Sequence, residues 1–156
     1  MELKLKNISV TLGGKMILDD VSFFVPEGQF MSILGESGSG KSTLALAMMR
    51  MIKPPGRIEG GKVIVGGTDL MPLTEEGMRQ ARLSKIAYIP QGAMNSLNPV
   101  TRIGAQMIDA IKSHLPNEPK SAMVERSYAA LRSVDLDPSV FRMYAHDLSG
   151  GMKQRV

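Results

Sequence analysis

Residues 35–43 read Gly35-Glu36-Ser37-Gly38-Ser39-Gly40-Lys41-Ser42-Thr43 and follow directly on an apolar run, Phe30-Met31-Ser32-Ile33-Leu34. The spelling fits G-x-x-x-x-G-K-[ST], a loop that wraps phosphate. Glycines at 35, 38 and 40 open backbone conformations closed to residues with a Cβ, so successive N–H groups, those of Ser37 and Ser39 included, turn inward around a di- or triphosphate. Lys41 supplies a mobile positive charge for the β and γ phosphates, and the Ser42 hydroxyl is placed to ligate Mg²⁺. Thr43 opens a strongly helix-forming segment, Thr43-Leu44-Ala45-Leu46-Ala47-Met48-Met49, whose N-terminal dipole and free N–H groups face the same anion. The bland alternative is a glycine turn with a chance lysine. A strand before the loop and a helix after it argue against that.

With 156 residues, 43% of them hydrophobic and 22% charged, the chain suits one globular domain or one domain carrying a small subdomain. The formal net charge of +4 comes from scattered lysines and arginines, the longest cluster being Lys153-Gln154-Arg155, so a nucleic-acid surface is not indicated. A phosphate ligand accounts for the mild basic excess. The absence of cysteine excludes a disulfide framework and a thiolate metal site. The first residues alternate charge with leucine and lack the apolar stretch of a signal peptide. No segment reaches the roughly 20 apolar residues of a membrane span. Thirteen methionines are many, and positions 48, 49, 51, 107 and 123 are expected to fill helical core.

In chain order, Leu3 and Leu5, then Ile8, Val10 and Leu12, alternate with polar residues, with a change of parity near Asn7 that predicts a bulged strand. A second alternating strand runs over 17–25 after the Gly13-Gly14 turn. Residues 30–34, apolar on both faces, suit a central parallel strand. A short strand is expected over 60–67, a polar helix over 75–83 and a buried strand over 85–90, ending at Gln91. From there the pattern is helical. Ile103, Met107, Ile111 and Leu115 form one stripe, and Met123, Val124, Tyr128, Leu131 and Val134 form a second after Pro119. Asp137-Pro138 starts a third short helix and Ser149-Gly150-Gly151 a fourth. The division expected is an α/β core over 1–92 with N-terminal antiparallel strands, followed over 93–156 by a helical subdomain.

Leu148-Ser149-Gly150-Gly151-Met152-Lys153-Gln154-Arg155 is the second informative stretch. Ser149 can cap a helix while two glycines expose backbone N–H groups, which makes another anion-binding helix start. Together with the phosphate loop, this stretch resembles the signature motif of ABC-type ATPases. In that family the serine and glycines contact the γ-phosphate of a nucleotide held by the opposite subunit. Tyr88-Ile89-Pro90-Gln91 is similar to the family's Q-loop, whose glutamine helps ligate Mg²⁺, positions the attacking water and links the nucleotide site to the membrane partner. Residues 92–99 and Tyr144-Ala145-His146-Asp147 look most like the ATPase subunits of oligopeptide, dipeptide and nickel importers, with Ala145-His146-Asp147 departing from an expected Pro-His-Glu. His146 is read as a solvated loop residue. Leu12 stands where the family usually places an aromatic ring against adenine, so aliphatic contact replaces stacking.

The resemblance implies an α/β protein of the P-loop NTPase fold, ABC type, with an antiparallel β subdomain and a helical subdomain. It implies ATP and Mg²⁺ as cofactors, with Lys41 and Gln91 acting in catalysis. A second ATPase subunit would be held head to tail, with integral membrane subunits as further partners and a location on the cytoplasmic face of the cell membrane. The family's Asp-Glu strand, which follows the signature helix, does not occur within residues 1–156, and the C-terminal part of the core is expected to be missing with it. The chain by itself is therefore expected to lack turnover and to be no independently stable monomer, because the strands over 30–34 and 86–89 would want neighbours from beyond Val156. Two alternatives stay open: a nucleotide-binding module without hydrolysis, and a soluble ABC ATPase of DNA repair or translation.

Overall fold

A computed structural model describes every residue except Gln91, Ala93, Met94 and Asn95. The chain forms two compact units, Met1–Tyr88 and Ile89–Val156.

The first unit is built on a four-stranded antiparallel sheet in the order β2-β1-β3-β4, with β1 Leu3–Leu12, β2 Lys15–Val25, β3 Gly56–Val65 and β4 Thr68–Asp69. Alternation in β1 buries Leu5, then changes parity so that Ile8 and Val10 are buried. The bulge expected near Asn7 is present: the pairing shifts register between Leu5 and Ile8, and Asn7 takes a φ of 53°. Its backbone N–H donates to the Ser22 hydroxyl at 2.8 Å, a side-chain substitute for the interrupted ladder. The strand expected over 60–67 instead runs over Gly56–Val65: pairing with β1 extends back to Gly56, and Gly66 and Gly67 form a turn.

Helix α1, Lys41–Met48, and helix α2, Glu75–Ser84, bury Leu44 and Ala47, and Met78 and Ala81, in a core with Leu5, Ile8, Val10, Leu18, Val63, Val65 and Leu70. Each large side chain so buried contributes about 1.5–3 kcal/mol. Arg50 anchors the end of α1: its guanidinium donates to the Leu73 carbonyl at 2.5 Å and pairs with Glu75 at 2.8 Å. The phosphate-loop helix is thereby fixed to the connection leading into α2.

Two expected strands do not form. Residues 30–34 carry no strand hydrogen bonding, and Phe30 and Leu34 are almost wholly exposed. Of residues 85–90, only Ile86 makes an isolated bridge, to Arg82, and Ile89 is exposed. The physical reason is that a strand exists only through its ladder, and among the described residues these segments gain no more than the single Ile86 bridge. An apolar run indicates burial in a sheet but does not supply the partner.

The second unit holds α3 Ile103–His114, α4 Lys120–Ser133, 3₁₀ turns over Pro138–Arg142 and Ala145–Asp147, and α5 Gly150–Arg155. Ile103, Leu131, Leu136, Val140 and Leu148 form its core, with Phe141 and Met107 packed on it. The expected face of α4 buries Met123 and Leu131, and Ser127 joins them because its hydroxyl donates to the Met123 carbonyl at 2.8 Å. Of the methionines expected in core, Met49 and Met123 are buried and Met48 and Met107 are half-buried, but Met51 is 41% exposed. It lies beyond the end of α1, where the helical spacing that suggested burial no longer holds.

Candidate functional site

The phosphate-loop sequence folds as its glycines require. Gly40 caps α1 with φ 92° and ψ 1°, the left-handed region open to glycine, and no side chain caps this helix start. At Gly35 a Cβ would lie 2.6 Å from the Ser39 hydroxyl, which would have to turn away. Gly35, Ser37, Gly38, Ser39 and Ser42 are exposed, while Gly40 is buried and Lys41 and Thr43 are half-buried. The Lys41 ammonium donates to the carbonyls of Gly35 at 2.8 Å and Glu36 at 2.6 Å, and to the Ser39 hydroxyl at 3.3 Å. Three oxygens of the loop thus occupy the cation's three donors.

These residues fit a phosphate. The loop is open to solvent, its glycines leave room where a Cβ would intrude, and an ammonium already coordinated by oxygens offers the same donors to anionic oxygens. Ser42 presents an exposed hydroxyl one residue on, the oxygen type that a hard cation such as Mg²⁺ takes. Among the described residues, no group of three or more His, Asp or Glu is placed to hold a metal ion. Among the described residues, Ser42 is the candidate ligand for such an ion, with phosphate and water oxygens beside it.

Leu12 ends β1 and lines an open cavity of about 470 Å³ whose walls also include Thr43, Leu46, Met51, Ile52 and Lys53. The structure therefore brings the expected base-contacting residue and the last residue of the phosphate motif to the same apolar hollow. The sequence points to none of Leu46, Met51 and Ile52 as a site residue, and Met51 is expected there only as core. The one available signal was that Leu46 follows Thr43 by three positions and so shares its face of α1.

Gln91 lies outside the described residues, as do Ala93, Met94 and Asn95. Ser149, Gly150 and Gly151 belong to the second unit and are exposed. The Ser149 hydroxyl accepts from the Met152 N–H at 3.3 Å, so it caps α5 as its chemistry suggests. His146 is solvated as expected, but its ring stacks on Tyr144 with centroids 5.4 Å apart and planes 7° from parallel. The Arg102 contact to the same tyrosine is not legible in the sequence, because the two residues are 42 positions apart. A hydrogen bond from Arg102 to the Tyr144 hydroxyl holds this guanidinium above its ordinary pKa.

A family model described as ABC transporter matches residues 18–156. The dipeptide transport ATP-binding protein DppD of Caldanaerobacter subterraneus is 40% identical over 139 residues, which are 88% of this chain and 43% of that protein. The oligopeptide transport ATP-binding protein OppD of Bacillus subtilis is 35% identical over 161 residues, 99% of this chain and 45% of that protein. The chain thus spans less than half the length of these relatives. A solved dimeric structure of a bacterial ABC transporter cassette superposes with a TM-score of 0.79 at 25% identity, covering 98% of this chain and 66% of that one. The similarity supports a P-loop fold of the ABC type.

Proposed function

Because the chain belongs to the ABC transporter family, we propose that it is the ATP-binding part of an importer ATPase whose solute is a peptide. The observation that carries this is the Lys41 ammonium held among the oxygens of its own glycine loop, an arrangement suited to exchange for phosphate. Relatives named for dipeptide and oligopeptide transport support the peptide solute over a metal.

In this reading the loop from Gly35 to Gly40 turns its N–H groups to the phosphates of ATP, Lys41 neutralises their charge, and Ser42 holds Mg²⁺. Bound magnesium would draw charge from the phosphate oxygens. Leu12 and the apolar hollow it shares with Thr43 cover one face of the base. Gln91 links the site to integral membrane subunits. Ser149, Gly150 and Gly151 complete the site of a second copy held head to tail, a reading that the dimeric cassette supports. The protein then works on the cytoplasmic face of the membrane through its partners; no helix among the described residues is long and apolar enough to cross it.

Neither Lys41 nor Ser42 is a base that activates water, and residues 1–156 by themselves are proposed to bind ATP without turning it over. Titration of the chain with a fluorescent ATP analogue, with and without Mg²⁺, tests the binding; a phosphate-release assay on the same samples tests turnover. Saturable binding with no release is the expected result. No binding at millimolar nucleotide would overturn the assignment, and steady release would overturn the claim about turnover.

A further inference from the structure

Helix α5, which Ser149 caps, buries none of its own residues. Met152, and Val156 just after the helix, pack on the helical core, both half-buried. Its direction therefore depends on these two contacts together with polar ties at its two ends. At the far end Arg155 donates to the carbonyls of Val134 and Asp135 at 3.2 and 2.9 Å.

The near end is tied to the start of α3. Arg102, the residue before α3, makes an antiparallel bridge with Tyr144, and the Ile103 N–H donates to the Met143 carbonyl at 2.9 Å. The Arg102 guanidinium sits 5.4 Å from the centroid of the Tyr144 ring, and its Nε donates to the Tyr144 hydroxyl at 3.4 Å. His146 stacks on the same ring. The Tyr144 N–H donates to Asp147 Oδ2 at 2.9 Å, and the Asp147 N–H returns a bond to the Tyr144 carbonyl at 3.1 Å. Tyr144 and the turn Ala145–Asp147 are thus one closed piece. Leu148, the next residue, is buried beside Ile103, and Ser149 follows immediately.

We propose that Arg102 and Tyr144 are positioning residues that clasp the start of α3 to the turn before α5 and so aim Ser149, Gly150 and Gly151 at the phosphate of a second copy. The proposal rests on the reading of Ser149-Gly150-Gly151 given above. Its mechanical content is that α3 and the signature helix move together.

Two readouts test the clasp. In amide hydrogen exchange on the chain, Tyr144→Ala and Arg102→Met should each speed exchange at Met152 and Lys153 by at least about tenfold, while Leu131 in α4 keeps its protection. Tyr144→Phe, which keeps the ring, should restore most of the protection. In sedimentation with Mg-ATP, Arg102→Met should weaken self-association about tenfold with ATP affinity at the Lys41 loop changed less than about twofold. Exchange at α5 unchanged in both Tyr144→Ala and Arg102→Met would overturn the clasp. If Tyr144→Ala loosens α4 as well, Arg102→Met decides, because it alters one exposed side chain and leaves the main-chain bridge. Faster exchange at α5, combined with self-association that Ser149→Arg leaves intact, would uphold the clasp and overturn the trans-phosphate reading.

Discussion

The Lys41 ammonium donates to the carbonyl of Gly35 at 2.8 Å, tying the cation to the first residue of its own loop. An arriving phosphate takes over those donors, and a hydrogen bond to a charged group contributes about 1.5–3 kcal/mol. Lys41→Ala should therefore lower ATP affinity by at least roughly tenfold, a factor that corresponds to 1.4 kcal/mol. Titration with a fluorescent ATP analogue checks it. Equal affinity in the two proteins would remove Lys41 from the site.

Gly40→Ala should both destabilise the first unit and weaken nucleotide binding. The left-handed conformation at φ 92° costs a residue with a Cβ about 1–2 kcal/mol, and the added carbon would press on Leu18 Cδ2 at 3.0 Å. Gly38→Ala is the control: its φ is +83°, but nothing lies within 4 Å of the added carbon. Urea unfolding of both variants should show the larger loss at Gly40. An equal loss would mean that the contact with Leu18 contributes nothing.

Gly104→Ala replaces a weak helix former by the best one, which by propensity alone stabilises by about 1 kcal/mol. Packing opposes this. The new Cβ would meet the Phe141 ring at 2.5 Å inside the helical core, and such overpacking costs about 1–3 kcal/mol. A net loss of stability is expected, recovered in Gly104→Ala/Phe141→Leu. Thermal unfolding of the single and double variants measures it, and a stabilised single variant would show that Phe141 swings away freely.

Hydrogen bonds from Arg79 and then Gln80 hold the Glu76 carboxyl at a pKa of about 2. The folded value lies below the ordinary 4.5, so the stabilisation is present above pH 4.5 and is lost as pH falls through about 2. The pair is exposed, so the effect on global stability is small. NMR titration of Glu76 should show its pKa rising toward 4.5 in Arg79→Ala. An unchanged value would assign the depression to Gln80 or to the start of α2.

Ser149 carries two proposed roles that different substitutions separate. Ser149→Ala removes the cap on the Met152 N–H, worth about 0.5–2 kcal/mol to a helix. Ser149→Arg additionally places a bulky cation where a second copy's phosphate would sit. Only the arginine variant should abolish Mg-ATP-dependent association in analytical sedimentation while ATP binding at the Lys41 loop persists. If both variants associate like the parent chain, Ser149 is a helix cap and nothing more.

The sequence by itself determined what short-range chemistry decides. The glycine spacing at 35, 38 and 40 specifies a loop that only glycine can make, the parity change at Asn7 specifies a bulge, and Ser149 before two glycines specifies a capped helix start. In each case the cause lies within a few residues, where backbone sterics and local hydrogen bonds settle the outcome. Tertiary structure decided whatever needs a distant partner. Residues 30–34 have every property of a buried strand, yet without a pairing segment among the described residues they form none, because a ladder is a property of two segments. Leu12 and Thr43 come to one hollow, and Arg102 reaches Tyr144 across 42 positions, only because two cores, one of sheet and helices and one of helices alone, fold those stretches back on themselves. Hydrophobic burial chooses such pairings collectively, and no local pattern encodes the choice.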